Sequence, residues 1–188
     1  MAIQKWEQSG RPDDVVSERH RRKVLWRYYI HPKLNREVDF LRFEQGNGSA
    51  ILPVTKEGMV VAVRQFRPGA GQILTELPAG IEDFEGEEPI EVARRELLEE
   101  TGYQAEEMIL VGGQWVEATN LSIYASFFLA LGCEKVKEPI LDPMEDIEVI
   151  LVPLQEWIRM VEQQEIVDSS SKSATYDSMR YLREREVL

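Results

Sequence analysis

The chain has 188 residues, enough for one domain, and its 43% hydrophobic and 30% charged residues are typical of a folded protein. Its 34 Asp and Glu residues outnumber its 22 Lys and Arg residues, which gives a net charge of −12 at pH 7. This acidity disfavours binding to nucleic acids or to an anionic membrane surface, because both attract clustered Lys and Arg.

Strands are predicted along the first half of the chain, after a polar segment. Residues 1–22 are mixed in charge, and we interpret the basic cluster at 19–22 as a solvated entry to the first strand, with a phosphate-binding arm as the alternative. Aromatic, β-branched or alternating residues predict strands at 24–30, 36–43, 50–54, 59–66 and 73–77. Gly46-Asn47-Gly48 predicts a hairpin turn, because Asn and Gly accept a positive φ.

Helices and strands are mixed in the second half. A helix is predicted to begin near Pro89, since proline fits the first helical position, and to end at Gly102, which can adopt the left-handed cap. Further strands are predicted at 108–112, 122–131 and 148–152, and helices at 154–163 and from an N-cap within 169–171 to about residue 185. This order predicts a mixed α/β sandwich with helices flanking a sheet.

Cysteine usage and hydropathy bear on the compartment. Cys133 is the single cysteine, so no intrachain disulfide can form, and the chain fits a reducing environment. The start of the chain lacks the apolar core of a signal peptide, and the longest largely apolar run, at 121–133, is shorter than the ~20 residues that span a bilayer. We therefore expect a cytoplasmic protein that does not enter a membrane.

Three glutamates of the helix after Pro89 carry the strongest chemical signal. Glu96, Glu99 and Glu100 are spaced i, i+3 and i+4, so they share one side of a helix. Like charges at this spacing repel each other and do not stabilise the helix. A Mg²⁺ ion would reverse this balance, because it binds carboxylate oxygens and leaves positions for water and substrate phosphates. A plain solvated acidic face is the alternative for this pattern taken alone.

The wider segment resembles the Nudix box, G-x5-E-x7-R-E-U-x-E-E-x-G-U, where U is a bulky apolar residue. Every defined position from Glu87 onward matches, through Arg95-Glu96-Leu97-Leu98-Glu99-Glu100-Thr101-Gly102-Tyr103, with Tyr103 taken as the bulky residue. Gly80 departs by one position, since six residues separate it from Glu87. The segments 63–68 and 76–80 are also similar to the ADP-ribose and nucleoside-diphosphate-sugar pyrophosphatase branch of the Nudix hydrolases.

The resemblance implies a fold and an assembly. The fold is a Nudix α/β/α sandwich with a mixed sheet and an N-terminal β segment. Residues 1–47 are expected to form that strand segment and to take part in dimerisation, and residues 48–188 to form the Nudix hydrolase domain. The branch implies a homodimer that acts on a small-molecule nucleotide sugar, with Mg²⁺, or alternatively Mn²⁺, as its cofactor.

The resemblance also implies roles at matching positions. The metal ligands would be the Ala79 carbonyl and the carboxylates of Glu96, Glu99, Glu100 and Glu145. Glu145 precedes a predicted strand in an acidic loop where Pro143 replaces a second carboxylate. Either Glu145 or Glu99 is the expected general base, and Glu145 could be base, ligand or both. The structural positions of the box are Gly80, Glu87 and Arg95, and the substrate-binding residues are Arg67 and Arg64.

The implied reaction is hydrolysis of the pyrophosphate bond of ADP-ribose or a related nucleotide sugar, to a nucleoside monophosphate and a sugar phosphate. ADP-ribose pyrophosphatases usually carry a proline sixteen residues past the last glycine of the box, and Ala118 occupies that position here. This departure weakens the case for ADP-ribose itself. The alternatives are hydrolysis of dinucleoside polyphosphates or nucleoside triphosphates, and a non-catalytic regulator that binds nucleotide sugars.

Overall fold

A computed structural model describes residues 2–185. The chain forms two compact units. The first unit comprises the chain up to Gly46 together with Trp115–Tyr124, and the second comprises Asn47–Gln114 and the chain from Ala125 onward. Participation of the N-terminal segment in dimerisation stays a prediction.

The first unit is an antiparallel sheet built around a long strand. Its strands are β1 (Glu7–Gln8), β2 (Asp14–Arg19), β3 (Arg22–His31) and β4 (Arg36–Glu44). β3 pairs with β4 along its full length and with β1 and β2 on its other edge. The strands predicted at 24–30 and 36–43 are confirmed as β3 and β4.

The basic cluster at 19–22 lies at a hairpin. His20 and Arg21 have φ values of 49° and 60°, and they form the two-residue connection between β2 and β3. This handedness matches the twist of a tight antiparallel hairpin. β1 and β2 were not predicted, because their residues are exposed and mostly polar, and the two valines of β2 are adjacent and so show no apolar alternation.

The second unit contains a mixed sheet with strand order β10-β11-β5-β6-β12. Shorter strands extend it, since β7 pairs with β6, β8 with β5 and β9 with β11. β5 and β11 are parallel, and β6 pairs antiparallel with β5, β7 and β12. The strands are β5 (Gly48–Thr55), β6 (Met59–Arg67), β7 (Gln72–Glu76), β8 (Ala79–Ile81), β9 (Tyr103–Gln104), β10 (Glu107–Val116), β11 (Ile123–Lys135) and β12 (Ile147–Pro153).

Three helices are found in the described residues: α1 (Pro89–Thr101), α2 (Leu154–Glu162) and α3 (Ser169–Glu184). Gly102 ends α1 with φ 76°, as predicted. The N-cap of α3 is Asp168, whose side chain accepts a hydrogen bond from the Ser171 N–H at 2.7 Å. The predicted cap within 169–171 was therefore wrong by one residue. None of these helices has the length and apolar character needed to cross a membrane.

The predicted hairpin at Gly46-Asn47-Gly48 was also wrong. β4 and β5 belong to different sheets, and none of these three residues has a positive φ. Asn47 instead accepts a backbone hydrogen bond from Glu82 at 2.9 Å. The local composition predicted a turn, but it carries no information about which strands pair.

The core of the second unit joins α1 to the centre of the sheet. Ala93 and Leu97 of α1 pack in one buried cluster with Ile51 of β5 and Phe128 of β11. Ala93 and Leu97 are separated by about one helical turn, so they lie on the same face of α1. Because this face is buried against the sheet, the opposite face of α1 turns away from the sheet. The glutamates of α1 are oriented by this packing. The mixed α/β fold predicted from the sequence is confirmed.

Candidate active site

The three glutamates of α1 differ in exposure. Glu100 is buried at 4% relative exposure, the Glu96 side chain is 14% exposed, and the Glu99 side chain is 45% exposed. The helix thus presents a graded set of carboxylates, with Glu100 deepest and Glu99 at the surface. This arrangement differs from a plain solvated face, on which all three would be hydrated.

Arg95 connects the loop before α1 to the carboxylates. Its guanidinium donates to the Ile81 carbonyl at 2.9 Å, to Glu87 at 3.3 Å and to Glu96 at 2.7 Å, and it approaches Glu99 at 3.4 Å. Burial alone would lower the pKa of Arg95, but hydrogen bonding to Glu87 and the charge of Glu96 raise it above its ordinary value. Arg95 therefore stays charged and holds the loop and the helix together.

The loop between Gly80 and Glu87 accommodates its additional residue. Gly86 has φ 87°, and the Glu87 N–H donates to the Phe84 carbonyl at 3.2 Å. The Glu87 carboxylate accepts the Asp83 N–H at 2.7 Å and reaches Arg95. The longer loop thus closes by a tight turn and leaves the pairing between Glu87 and Arg95 in place.

Gly80 is required for space rather than for backbone freedom. Its φ is not positive, but a Cβ added at this position would overlap the carboxylate of Glu96. The Glu96 carboxylate therefore lies directly against the backbone of β8, the strand that begins with Ala79. The backbone at Ala79 and Gly80 thus lies against the carboxylates of Glu100 and Glu96, and the role of the Ala79 carbonyl as a metal ligand stays a prediction.

Glu100 and Glu96 are costly to ionise where they stand. Burial, together with the charges of Glu96 and Glu145, raises the pKa of Glu100 to about 8, although the hydrogen bond from the Ala79 N–H at 3.0 Å and the charge of Arg67 oppose the rise. Burial also raises the pKa of Glu96, against the opposing effect of Arg95. Adjacent carboxylates of this kind are stabilised as anions when a cation lies between them.

Glu145 lies in the loop before β12 and is exposed. Its N–H donates to the Asp142 carbonyl at 2.9 Å, and its carboxylate accepts the Asp142 N–H at 3.0 Å. Its charge contributes to the raised pKa of both Glu96 and Glu100, so it lies near enough to the α1 carboxylates to act on them. Its role as base or ligand stays a prediction.

Arg67 and Arg64 lie on opposite faces of β6, because side chains alternate along a strand. Arg67 pairs with the buried Glu76 of β7, with Nη2 at 2.7 Å from Oε2. Arg64 pairs at 3.1 Å with Glu148, the residue directly opposite on β12, and both side chains are exposed. The structure places Arg67 on the side of Glu100, whose charge acts on it, and Arg64 away from that side. Both substrate-binding roles stay predictions.

Three residues that were not predicted to belong to the site help to build it. Glu76 pairs with Arg67, the Ser171 hydroxyl accepts the Leu77 N–H at 2.9 Å, and Asp168 caps α3. The one sequence signal for Glu76 was a charged residue inside a strand that ends at a proline. Nothing local in the sequence could have linked Ser171 to Leu77, since 94 residues separate them.

The donor set fits a hard divalent cation, because carboxylate and carbonyl oxygens are the ligands that Mg²⁺ prefers. Within residues 2–185, no three His, Cys, Asp or Glu side chains already stand in a metal-binding arrangement. Two of the α1 carboxylates, Glu96 and Glu99, are instead hydrogen-bonded to Arg95. The buried Glu100 and the partly buried Glu96 nevertheless stand where added positive charge would stabilise them.

Comparison with solved structures supports the fold. A crystal structure described as an ADP compounds hydrolase matches the whole chain over its own whole length, with a TM-score of 0.83 and 17% sequence identity. At this level of identity the match shows a shared fold.

Comparison with known sequences identifies the family. An ADP-ribose pyrophosphatase of Bacillus subtilis (strain 168) is 34% identical over 140 residues, which cover 74% of this chain and 73% of the relative. A methanol dehydrogenase activator of Bacillus methanolicus is 30% identical, with the same coverage. A GDP-mannose pyrophosphatase of Citrobacter koseri is 30% identical, covering 69% of this chain and 71% of the relative. The NUDIX domain family matches residues 45–171, and with Glu87, Arg95 and the α1 glutamates in the geometry above, this chain belongs to the Nudix family.

Proposed function

We propose that this protein hydrolyses the pyrophosphate bond of a nucleoside diphosphate linked to a sugar, and releases a nucleoside monophosphate and a sugar phosphate. The observation that carries the proposal is a pair of carboxylates, the buried Glu100 and the partly buried Glu96, held against the backbone of β8. Relatives named ADP-ribose pyrophosphatase and GDP-mannose pyrophosphatase support the substrate class.

Nudix hydrolases generally use divalent metal ions. In this chain, Mg²⁺, or alternatively Mn²⁺, would be held by the Ala79 carbonyl and the carboxylates of Glu96, Glu99 and Glu100, with Glu145 as a further ligand. When bound, such an ion neutralises phosphate charge and lowers the pKa of a bound water.

The residues of the chain supply positioning and proton transfer. Arg67 is half-exposed and would bind a phosphate of the substrate with the donors that Glu76 does not occupy. A water oxygen bonds to one phosphorus, the bridging oxygen leaves with the other phosphate, and Glu145 or Glu99 accepts the proton of the water. Arg95 and Glu87 keep the loop before α1 closed during this step.

The assembly and location belong to the same proposal. A cytoplasmic location fits a nucleotide-sugar substrate, and it fits a single buried cysteine, which stays a free thiol in a reducing environment.

A homodimer involving residues 1–47 is proposed from the resemblance to the branch. Light scattering after gel filtration, on the full chain and on a chain that begins at residue 48, tests it: a dimer for the first and a monomer for the second are expected. A monomeric full chain contradicts the proposal.

A non-hydrolytic regulator is the second candidate. The relative named methanol dehydrogenase activator favours it, because that name describes an effect on another protein. The intact set of α1 glutamates favours catalysis, since a protein that only binds a nucleotide sugar has no need of a repelling carboxylate cluster.

A substrate panel decides between these candidates. Purified protein with Mg²⁺ is incubated with ADP-ribose, GDP-mannose, other nucleotide sugars, diadenosine polyphosphates and nucleoside triphosphates, and phosphate is measured with and without added phosphatase. Phosphate that appears from nucleotide sugars only after phosphatase treatment is expected, with the Glu100→Gln variant as the inactive control. Turnover of polyphosphates or triphosphates alone, or of nothing, contradicts the proposed substrate class.

A further inference from the structure

Glu76 is an ionisable residue buried inside the sheet of the second unit. It lies at the end of β7, only 2% exposed, directly opposite Val63 of β6. A carboxylate in such a place is costly unless it is paired and hydrogen-bonded. Arg67 and Gln65, which lie on the same face of β6, supply these bonds, and the Gln65 amide reaches the carboxylate at 3.3 Å.

The pairing between Glu76 and Arg67 uses one edge of the guanidinium. Nε of Arg67 lies 3.1 and 2.8 Å from the two carboxylate oxygens, and Nη2 lies 2.7 Å from Oε2. A guanidinium has five N–H donors, so the edge formed by Nη1 and the second hydrogen of Nη2 is left over. Two parallel donors at such an edge match two oxygens of a phosphate. The Arg67 side chain is 42% exposed, so a ligand can reach it.

Arg67 also stands among competing carboxylates. After Glu76, the charges that act on it are those of Glu100 and Asp168. Asp168 is engaged in capping α3 through the Ser171 N–H. Glu100 has one backbone donor, the Ala79 N–H, and therefore has lone pairs to offer to an arginine. Glu100 is also close to Glu76 along the chain's own hydrogen bonds, because its donor Ala79 follows Glu76 by three residues. If Glu76 did not hold the guanidinium, Glu100 would be its next partner.

We propose that Glu76 is a positioning residue with two effects: it directs the outer edge of Arg67 toward a substrate phosphate, and it keeps Arg67 from pairing with the metal-binding carboxylate of Glu100. The first effect rests on the proposed function, because it needs a substrate phosphate. The second effect rests only on the chain's own residues Glu76, Arg67 and Glu100. By pairing with Arg67, the buried Glu76 thus leaves the carboxylate of Glu100 free to bind a cation.

The test uses Glu76→Gln, which keeps the shape of the side chain and removes its charge. Mn²⁺ affinity without substrate is measured by titration with paramagnetic detection, and KM and kcat with the nucleotide sugar that the wild type turns over best. We expect Mn²⁺ binding at least fivefold weaker and a KM at least tenfold higher, with a smaller change in kcat. Glu107→Gln is the matched control, because it removes the charge from another bidentate pair, with Arg185 at the surface, and should change both quantities less than twofold.

A double variant separates positioning from structural damage. In Glu76→Gln combined with Arg67→Met, no guanidinium remains to pair with Glu100, so Mn²⁺ affinity should return to within twofold of wild type while KM stays high. The proposal is overturned if Mn²⁺ affinity stays low in the double variant. It is also overturned if Mn²⁺ affinity does not fall in Glu76→Gln. If Glu76→Gln does not fold, as judged by circular dichroism, Glu76→Asp replaces it, since a carboxylate withdrawn by one methylene should also release Arg67.

The two proposals fail in different ways. If no nucleotide sugar is hydrolysed by the wild type, the proposed function fails, and the Mn²⁺ titrations still test the separation of Arg67 from Glu100. If hydrolysis is found but Glu76→Gln matches wild type in KM and Mn²⁺ affinity, only the role of Glu76 is refuted.

Discussion

Asp13 in the first unit and Glu100 in the second are carboxylates with opposite shifts in acidity. Asp13 accepts hydrogen bonds from Arg27 Nε at 3.1 Å and Nη2 at 2.6 Å, and this hydrogen bonding holds its pKa below the ordinary value against the opposing effect of burial. Burial is the main cause that raises the pKa of Glu100 to about 8, and the charges of its acidic neighbours Glu96 and Glu145 add to the rise.

The difference separates charge that stabilises a fold from charge kept for chemistry. Arg27 also pairs with Glu44 at 2.8 Å, so in the first unit this cation is shared by two carboxylates, one just before β2 and one at the end of β4. In the second unit, Glu100 has an amide N–H as its hydrogen-bond donor, and its closest carboxylates repel it. Strongly perturbed carboxylates that face one another are a feature of functional sites.

Removal of divalent metal tests this contrast most severely. Excess EDTA should abolish hydrolysis, because the α1 carboxylates would then repel one another and the phosphates without compensation, and Mg²⁺ or Mn²⁺ should restore it. The thermal unfolding of the first unit, followed in the same samples through its aromatic signal, should hardly change when EDTA is added. Full activity in excess EDTA would refute the metal-dependent mechanism.

Glu100→Gln is expected to have the next largest effect. The swap keeps the shape of the side chain and removes one charge, and kcat at saturating Mg²⁺ should fall by ~10³-fold or more, which corresponds to about 4 kcal/mol of transition-state stabilisation. The metal-free variant should be at least as stable as wild type, since a carboxyl group that is costly to bury is replaced by a neutral amide of the same shape. A kcat within tenfold of wild type would show that Glu100 is not a ligand.

Glu145→Gln distinguishes a base from a ligand. If Glu145 is the only base, kcat should fall by about 10²–10⁴-fold with KM little changed, and the acidic limb of the pH–rate profile should disappear. Raising Mg²⁺ should recover much of the rate if Glu145 is chiefly a ligand, and the loss should be under tenfold if Glu99 is the base. A rate unchanged at every pH and Mg²⁺ concentration removes Glu145 from the mechanism.

The pH dependence of stability should follow Glu100 in metal-free protein. Its folded pKa of about 8 lies above the value of 4.5 for a free side chain, so between these pH values the folded state binds a proton that the unfolded state has lost. Stability should therefore fall as pH rises, by up to ~1.4 kcal/mol per pH unit. Urea unfolding in EDTA at pH 5 to 8 measures this slope, and Glu100→Gln should flatten it; equal slopes would contradict the assignment.

Asp13→Asn should give the smallest effect and the opposite pH dependence. The lowered pKa of Asp13 means that its contribution to stability is present at neutral pH and is lost as pH falls through the acidic range. The substitution should destabilise the protein by about 1–2 kcal/mol at pH 7, because one charge-assisted hydrogen-bonded pair is weakened, and leave kcat unchanged. A kcat that falls with stability would show that the contrast between the two carboxylates is wrong.

The elements best predicted from the sequence are those whose signals are local. Pro89 and Gly102 bracket α1 by their own backbone preferences, and the repeat of Ala93 and Leu97 indicates its buried face. The position of the glutamates on that helix follows at once. β2 could not be predicted, because it is entirely exposed and holds its place by pairing with β3 rather than by burying side chains.

The parts of the site that the sequence did not reveal depend on distant partners. The burial of Glu76 follows from the register of β6 and β7, which a single sequence does not specify. The different environments of Arg64 and Arg67 follow from the alternation of β6, but only once its neighbours β7 and β12 are known. Local pattern thus located the helix of the site, and strand pairing decided how the arginines face it.

The hydrogen bond from Leu77 to Ser171 has a consequence for how the protein is made. Leu77 precedes Pro78 and Ala79, the stretch that carries the backbone groups facing Glu96 and Glu100, and its N–H is satisfied by a hydroxyl near the start of α3. During synthesis the glutamates of α1 therefore leave the ribosome before the residue that fixes the backbone opposite them. Cation binding is expected to mature last, after α3 has docked, so a nascent chain that stops short of Ser171 can form the helix of glutamates without yet being an enzyme.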